Sequence, residues 1–361
     1  MAFFRNLFRR LLPPPPGGGS SASIPVRKGR TRDWAGAWET GNPSQVAALG
    51  LPEIRDLNHL AQLVNLAPGK LKWLAGRFDR ADLHYVERRI PKRSGGERLL
   101  HCPKPLARRA QQWILQNVLQ KVRPADAAHG FVRGRSIVTN ATPHCRRTVV
   151  VSADLVDFFP TISVASVQGV FLWMGYAGEV ARTLARLCTC RRTARAHRIL
   201  PQGAPTSPAI TNLVCWSLDR RAEGLARKFG ATYTRYADDL TFSGDKELKN
   251  GLKRFLPLLM RIVRDEGFRV NRRKLRFARK GRRQVVTGLV VNARPSVSRE
   301  TRRRLRAILH NCRAHGLDSQ NAQNDPLFLD RLRGQVAFVS QINPDHGAKL
   351  KAALEDIAPR R

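Results

Sequence analysis

The chain has 361 residues, 42% of them hydrophobic, which is enough for two or three modules around a substantial core. Lys and Arg number 65 against 27 Asp and Glu, a formal net charge of +38, and a charge of that size repels itself unless a polyanion neutralises it. Nucleic acid is the partner this implies; no run of about 18 apolar residues exists to cross a membrane.

Met1 to Leu12 is short, basic and amphipathic, with Phe3, Phe4, Leu7 and Phe8 among Arg5, Arg9 and Arg10. Such a segment can touch a membrane or a partner. It has no long apolar region and no small-residue cleavage site, so it reads as a flexible basic tail and not as a secretory signal. Pro13 to Pro16 followed by Gly17-Gly18-Gly19-Ser20-Ser21 is a linker by composition. Residues 1–43 therefore read as mostly disordered, with a basic knot at Arg27, Lys28, Arg30 and Arg32.

From Ser44 to Phe78 the pattern is helical, with Ile54, Leu57, Leu60, Ala61 and Val64 at three- and four-residue spacing. Pro68-Gly69 breaks the run before Leu71, Trp73 and Leu74. Residues 84–101 read as a hairpin. Tyr85 to Lys92 leads into Ser94-Gly95-Gly96, and Glu97 to His101 returns, with Arg88, Arg89, Lys92 and Arg98 on the strands. A helix follows with Ile114, Leu115, Val118 and Leu119 on one face.

Thr148 to Ala153 is a β-branched run that reads as a buried strand ending in Asp154. Residues 164–187 read as helix, and residues 188–199 are strongly basic, with Arg191, Arg192, Arg195 and Arg198. Ser207-Pro208 opens another helix, Ser as its cap and Pro in the first turn, with Ile210, Leu213, Val214 and Leu218 apolar. Leu252, Phe255, Leu256, Leu259 and Val263 mark a helix near 246–266. Arg283 to Asn292 reads as a strand pair. From Ser298 the chain is helical and Arg-rich. Leu305, Ile308, Leu309 and Cys312 face inward, and Arg299, Arg302, Arg303 and Arg306 face outward. The six cysteines are scattered without zinc-finger spacing and read as reduced thiols of a cytosolic protein.

The chemistry concentrates at Tyr236-Ala237-Asp238-Asp239. Alternating runs rich in Thr, Tyr and Phe flank it on both sides, so it reads as a hairpin with two carboxylates at its turn. Adjacent acids repel each other and stabilise nothing alone; a divalent cation between them explains the pair. Antiparallel pairing with the 148–153 strand would bring Asp154 beside them. Three carboxylates are enough for a two-metal site completed by substrate phosphates.

Four segments in order carry a resemblance. Asp154-Leu155-Val156-Asp157-Phe158-Phe159-Pro160, then Pro201-Gln202-Gly203-Ala204-Pro205-Thr206-Ser207-Pro208, then Tyr236-Ala237-Asp238-Asp239, then Val270-Asn271-Arg272-Arg273-Lys274 resemble the palm motifs of reverse transcriptases. Asn140-Ala141-Thr142-Pro143-His144 and Val286-Thr287-Gly288 resemble the two elements that mark bacterial retron reverse transcriptases. His129-Gly130-Phe131 with Gly134-Arg135-Ser136-Ile137 also fits. The resemblance covers roughly residues 45–355.

It implies an α+β right-hand polymerase. Residues 1–43 would be the tail, 44–78 a helical cap, 79–147 fingers, and 148–292 an antiparallel-sheet palm with a fingers insertion near 176–200. Residues 293–361 would be a helical, RNA-binding thumb. Asp154, Asp238 and Asp239 resemble the metal triad for two Mg²⁺ ions, with Mn²⁺ as a substitute. Phe159 resembles the gate against a ribose 2′-hydroxyl, a core phenylalanine being the alternative. Gln202 and Gly203 resemble the pair against template and incoming nucleotide. Lys92 and Arg98 resemble the triphosphate clamp. Lys274 resembles the lysine that protonates pyrophosphate, a phosphate contact being the alternative. Asn140, His144, Val286, Thr287, Gly288, Arg299, Arg302, Arg303 and Arg306 are the expected RNA contacts; for His144, RNA contact or packing is preferred over metal binding.

The implied function is RNA-directed DNA synthesis in the cytoplasm from deoxynucleoside triphosphates. A cognate structured non-coding RNA of the msr-msd type would serve as primer and template. The product would be a branched RNA–DNA hybrid (msDNA), used in antiphage defence with a separate effector protein. Two rivals stay open at this point. One is a group II intron or diversity-generating reverse transcriptase, which the end of the chain at Arg361 disfavours because intron proteins usually add further regions. The other is a non-catalytic RNA-binding scaffold, which the intact acids disfavour.

Overall fold

The computed structural model describes residues 40–76, 84–92, 95–191 and 197–357. The amphipathic start, the Pro/Gly linker, the basic knot at Arg27 to Arg32, and Arg192 and Arg195 lie outside the described residues. Mixed helices and antiparallel sheets make up the rest.

Three short helices come first: α1 (Pro43–Ala48), α2 (Leu57–Leu63) and α3 (Pro68–Leu74). Asn42 caps α1 by accepting from the Gln45 amide, and Asp56 caps α2 by accepting from Asn58 and His59. Strands β1 (Tyr85–Pro91) and β2 (Glu97–Pro103) pair as the expected hairpin, and α4 (Pro105–Asn117) follows. Next come α5 (Ile137–Ala141), β3 (Val149–Asp154), α6 (Phe158–Thr161), α7 (Val164–Trp173) and α8 (Gly178–Leu187). Then come α9 (Ser207–Val214), α10 (Trp216–Lys228), β4 (Ala231–Tyr236), β5 (Asp239–Gly244) and α11 (Lys246–Asp265). Strand β6 (Arg276–Arg279) and the two-residue strands β7 (Val285–Val286) and β8 (Leu289–Val290) precede the terminal helices. These are α12 (Arg299–His315), α13 (Phe328–Ile342) and α14 (Pro344–Glu355).

The central sheet has the order β4-β5-β3-β6, antiparallel throughout. Strand β3 lies inside it, so its valines need apolar cover on both sides. Val149, Val150 and Val151 are at most 2% exposed. Helix α11 closes one face. Phe255 meets Phe242 edge-on at 5.0 Å, and Phe242 stacks on Tyr233 at 4.7 Å. One large core runs from α1 to Phe268, a second joins α12, α13 and α14, and a small third lies beneath α5, β7 and β8.

Two local expectations are corrected. Residues 164–187 form two helices, not one. Gly175 stands between them at φ +99°, and a Cβ there would sit 2.5 Å from the Asn42 carbonyl oxygen. The break is where the N-terminal helices dock, since the Asn42 amide donates to the Gly175 carbonyl at 2.7 Å. Ser207 is not a helix cap. It is the first residue of α9 after Thr206, and its hydroxyl donates back to the Pro201 carbonyl at 2.6 Å.

Phe242→Ala removes a ring with no exposed surface between two aromatic partners. It should cost about 3–5 kcal/mol, read as a lowered urea midpoint with unchanged slope. A loss under about 1 kcal/mol would mean the sheet does not rest on α11 in this way.

Candidate active site

Strands β4 and β5 are joined by two residues, Ala237 and Asp238, because Tyr236 pairs directly with Asp239. So tight a turn needs positive backbone angles, and Ala237 adopts φ +56°. The register of β3 against β5 places Asp154 opposite Asp239. The Leu155 amide donates to the Asp238 carbonyl at 3.0 Å, and the Asn271 amide donates to the Asp154 carbonyl at 2.7 Å. Three carboxylates from two distant segments thus meet at one end of the sheet. Lys274, in a 3-10 turn over 272–274, reaches both Asp154 oxygens at 3.1 and 3.3 Å.

The three acids oppose one another. Crowding by protein pushes Asp238 upward, with the Asp154 charge adding to it and Lys274 and Arg98 opposing it. Crowding, then the charges of Asp238 and Asp154, push Asp239 up to about 6. Water reaches Asp239, which is exposed as a residue, and this softens the penalty. Among the described residues no three His, Cys, Asp or Glu side chains form a ready-made metal cage, these included. The donor set nevertheless fits a hard divalent cation: oxygen ligands, mutually repelling, beside a lysine that neutralises one of them.

Sequence reasoning missed what holds the hairpin. Arg235 is fully buried and pairs bidentately with Asp219 of α10, Nε and Nη2 each at 2.7 Å. Its Nη1 donates to the Ala237 carbonyl at 3.1 Å and to Asn212 Oδ1 at 3.2 Å. Asn212 in turn donates to the Gly130 carbonyl at 2.9 Å, and the Tyr233 hydroxyl donates to Asp219 at 2.9 Å. The signal was present: Asp219 sits within the apolar stripe of Leu218, Ala222, Leu225 and Ala226, where an acid needs a buried partner.

The remaining expected residues fall into two groups. In the first, Gln202 receives the His101 amide on its carbonyl at 2.8 Å, which ties the Gln202-Gly203 turn to β2. Gly203 lies at φ +115°, and a Cβ there would stand 3.2 Å from the His101 carbonyl oxygen. Lys92 and Arg98 are exposed on the β1–β2 hairpin, and Arg98 acts on Asp238 electrostatically. Phe159 is half-buried, edge-on to Phe158 at 5.5 Å.

The second group departs from expectation. Asn140 and Val286 were expected to contact RNA, and His144 to contact RNA or to pack; all three are at most 1% exposed, which leaves packing for His144. Their side chains face the protein interior. His144 lies between Thr234 of β4 and Ser243 of β5, at 2.8 and 2.7 Å from their hydroxyls. Desolvation lowers its pKa to about 3. Thr287 is at φ +46° and donates its hydroxyl to the Ile137 carbonyl at 3.0 Å, with Gly288 beside it at φ +83°. Arg299, Arg303 and Arg306 are exposed on α12 as expected. Arg302 is not: it is partly buried, and its Nε has no hydrogen-bond partner.

A carboxyl whose pKa the fold raises holds its proton more tightly folded than unfolded. Stability therefore falls as pH rises from the ordinary value near 4 toward 6, and the penalty is complete above that. Asp239→Asn should stabilise the metal-free protein at pH 7.5 by on the order of 1 kcal/mol after solvent screening, read as a raised Tm. At about pH 3.5, below the ordinary value, the gain should all but vanish. A gain equal at both pH values would show that repulsion at Asp239 is not its source.

The reverse transcriptase (RNA-dependent DNA polymerase) family model matches residues 90–306. The chain is 41% identical over 344 residues to the retron Mx65 reverse transcriptase of Myxococcus xanthus, covering 91% of this chain and 77% of that one. It is 40% identical to the retron Mx162 reverse transcriptase of the same organism, covering 86% and 68%. Against the retron Ec86 reverse transcriptase of Escherichia coli it is 31% identical, covering 84% and 89%. With the first, third and fourth motifs meeting at one cluster of carboxylates, the chain belongs to the bacterial retron reverse transcriptases and is an RNA-directed DNA polymerase.

Proposed function

We propose that Asp154, Asp238 and Asp239 are the catalytic triad and hold two Mg²⁺ ions, with Mn²⁺ as a substitute. The observation that carries this is the register: Asp154 stands opposite Asp239, with Asp238 next to it in the turn. Bound there, such ions lower the pKa of an attacking hydroxyl and neutralise a triphosphate. Lys274 now neutralises Asp154; when a nucleotide arrives it is placed to transfer to phosphate and donate a proton to the leaving pyrophosphate. Arg98 and Lys92 draw the triphosphate toward the acids. The Gln202-Gly203 turn lies under the template and nucleotide, where a glycine lets backbone approach closely. Phe159 blocks a 2′-hydroxyl.

In this reading the sheet β4-β5-β3-β6 and its helices are the palm. The β1–β2 hairpin belongs to the fingers and α12 to α14 form the thumb. The partner is a cognate structured non-coding RNA of the msr-msd type, with deoxynucleoside triphosphates as substrates. Synthesis starts from a 2′-hydroxyl of that RNA and yields a branched RNA–DNA product, which serves antiphage defence in the cytoplasm with a separate effector protein. No helix of the described residues is long and apolar enough to cross a membrane. RNA contact passes to Thr287, Gly288 and the exposed arginines Arg299, Arg303 and Arg306 of α12. Asn140, His144 and Val286 support them from inside.

Asp238→Asn should lower primer extension by at least about a thousandfold, since removing a ligand of a reacting ion disables the electrostatic stabilisation of the step. Binding of the RNA, read by filter retention, should change less than about threefold. Near-normal extension would reject the triad.

A 2′-hydroxyl is no stronger a nucleophile than a 3′-hydroxyl, so its use depends on placement. Thr287→Ala should therefore impair initiation on the cognate RNA while sparing extension of an annealed DNA primer. Equal losses in both assays would instead mark a folding defect.

A further inference from the structure

The His129-Gly130-Phe131 loop is bolted to the carboxylate hairpin. The His129 amide donates to the Arg235 carbonyl at 2.7 Å. Gly130 has no room for a side chain, because a Cβ would stand 2.6 Å from the Ala237 nitrogen. Asn212 holds the Gly130 carbonyl from the other side. Arg135 Nη1 donates to the Ala128 carbonyl at 2.6 Å and also reaches the Asp126 carbonyl. Between these fixtures Phe131 adopts φ +62°, a region that a bulky side chain rarely enters. The residue is nonetheless 49% exposed, so burial in the core does not account for the strain. The ring instead lies against Phe159, with centroids 6.3 Å apart and planes inclined by 55°. Phe159 is edge-on to Phe158 at 5.5 Å, and Phe158 rests on Phe268 at 5.7 Å.

From this geometry we propose that Phe131 is a positioning residue for sugar discrimination: it braces Phe159 so that the ring cannot swing aside for a ribose 2′-hydroxyl. The inference rests on the reading of Phe159 as the gate. Phe159 is half-buried, with one side on Phe158 and the main core and its outer side toward Phe131. Phe131 closes that outer side. The adjoining Gly130 lies hard against Tyr236 and Ala237, so the brace is held in register with Asp238 and Asp239. A strained aromatic at this place has a use that an unstrained loop residue would not serve.

The test is single-nucleotide incorporation of a deoxyribonucleotide against the matching ribonucleotide. The proteins are the full chain and its Phe131→Ala, Phe131→Gly, Phe131→Tyr, Phe159→Ala and Phe131→Ala/Phe159→Ala variants. Phe131→Gly removes the ring and relieves the backbone, so it separates bracing from strain; a melting curve checks each fold. Phe131→Ala and Phe131→Gly should each raise relative ribonucleotide use roughly three- to tenfold, the worth of one aromatic contact. Phe131→Tyr should keep the wild-type ratio. The double variant should match Phe159→Ala alone, because a brace has no effect once the gate is gone. An unchanged ratio in Phe131→Ala beside a changed one in Phe159→Ala would overturn the brace and leave the gate standing. No change in Phe159→Ala would overturn both, and a change in Phe131→Ala alone would make Phe131 the gate itself. A loss of both nucleotides in equal proportion would also overturn the proposal, pointing to a template contact.

Discussion

A single buried ion pair fixes the geometry on which the site depends. Arg235 and Asp219 have no more than 1% of their side chains exposed, and each compensates a charge that would otherwise be stranded. Leaving one partner of such a pair alone in a protein interior costs about 3–5 kcal/mol. The pair is more than a stabiliser because Arg235 has donors left over. One guanidinium nitrogen holds both Ala237 and Asn212, and Asn212 holds Gly130. A two-residue turn could hinge about its own strands. Here its carbonyl is tied to α10 through Asp219 and its neighbours are tied to the 127–131 loop. The carboxylates therefore start from a fixed backbone, which is what a site with shared cations requires.

That fixed backbone carries unrelieved tension. Three acids stand together, and two have pKa values pushed upward. Around them lie Phe131, Asp157 and Ala237, all non-glycine residues at positive φ. Left-handed backbone at such residues costs on the order of 1–3 kcal/mol apiece. The surrounding chain is strongly cationic, and Arg98, Lys274 and Arg276 act directly on the acids. In the proposed function the basic surface and the acidic turn serve one substrate: the cations attract a polyanion, and divalent ions relieve the repulsion of the acids.

The carboxylate hairpin was legible in the sequence because its signals are local. Alternating Thr, Tyr and Phe around Ala237-Asp238 specify strands and turn within about a dozen residues. The β1–β2 hairpin and α11 were legible for the same reason. What sequence reasoning missed depends on partners far along the chain. Asp219 and Arg235 looked like ordinary members of a charged helix and a polar strand, and only the packing of α10 on β4 brings them together. The break at Gly175 was hidden because α7 and α8 are both apolar enough to read as one helix. What divides them is the docking of Asn42, more than a hundred residues earlier. The resemblance singled out Asn140 and His144 but carried no information on their orientation, and both are buried. Periodicity in a five-residue helix is too short to say which face is buried.

His144 gives that orientation a physical meaning. Its pKa, lowered to about 3, keeps the imidazole neutral, so one ring nitrogen donates and the other accepts. The two hydroxyls it satisfies belong to β4 and β5, the strands that carry Tyr236, Asp238 and Asp239. The residues just before it form α5, and the first carbonyl of α5 receives the Thr287 hydroxyl. Ile342 of α13 packs on the same small core as Val286 and Leu289. The segments 140–144 and 286–288 are thus joined through one small core, between the terminal helices and the carboxylate hairpin. A surface offered at Thr287 and Gly288 is placed relative to the carboxylates by one short helix and one imidazole. No long or flexible connection intervenes. The proposed priming, which selects one hydroxyl of a folded RNA, calls for that kind of rigidity, since reactivity alone does not distinguish it from its neighbours.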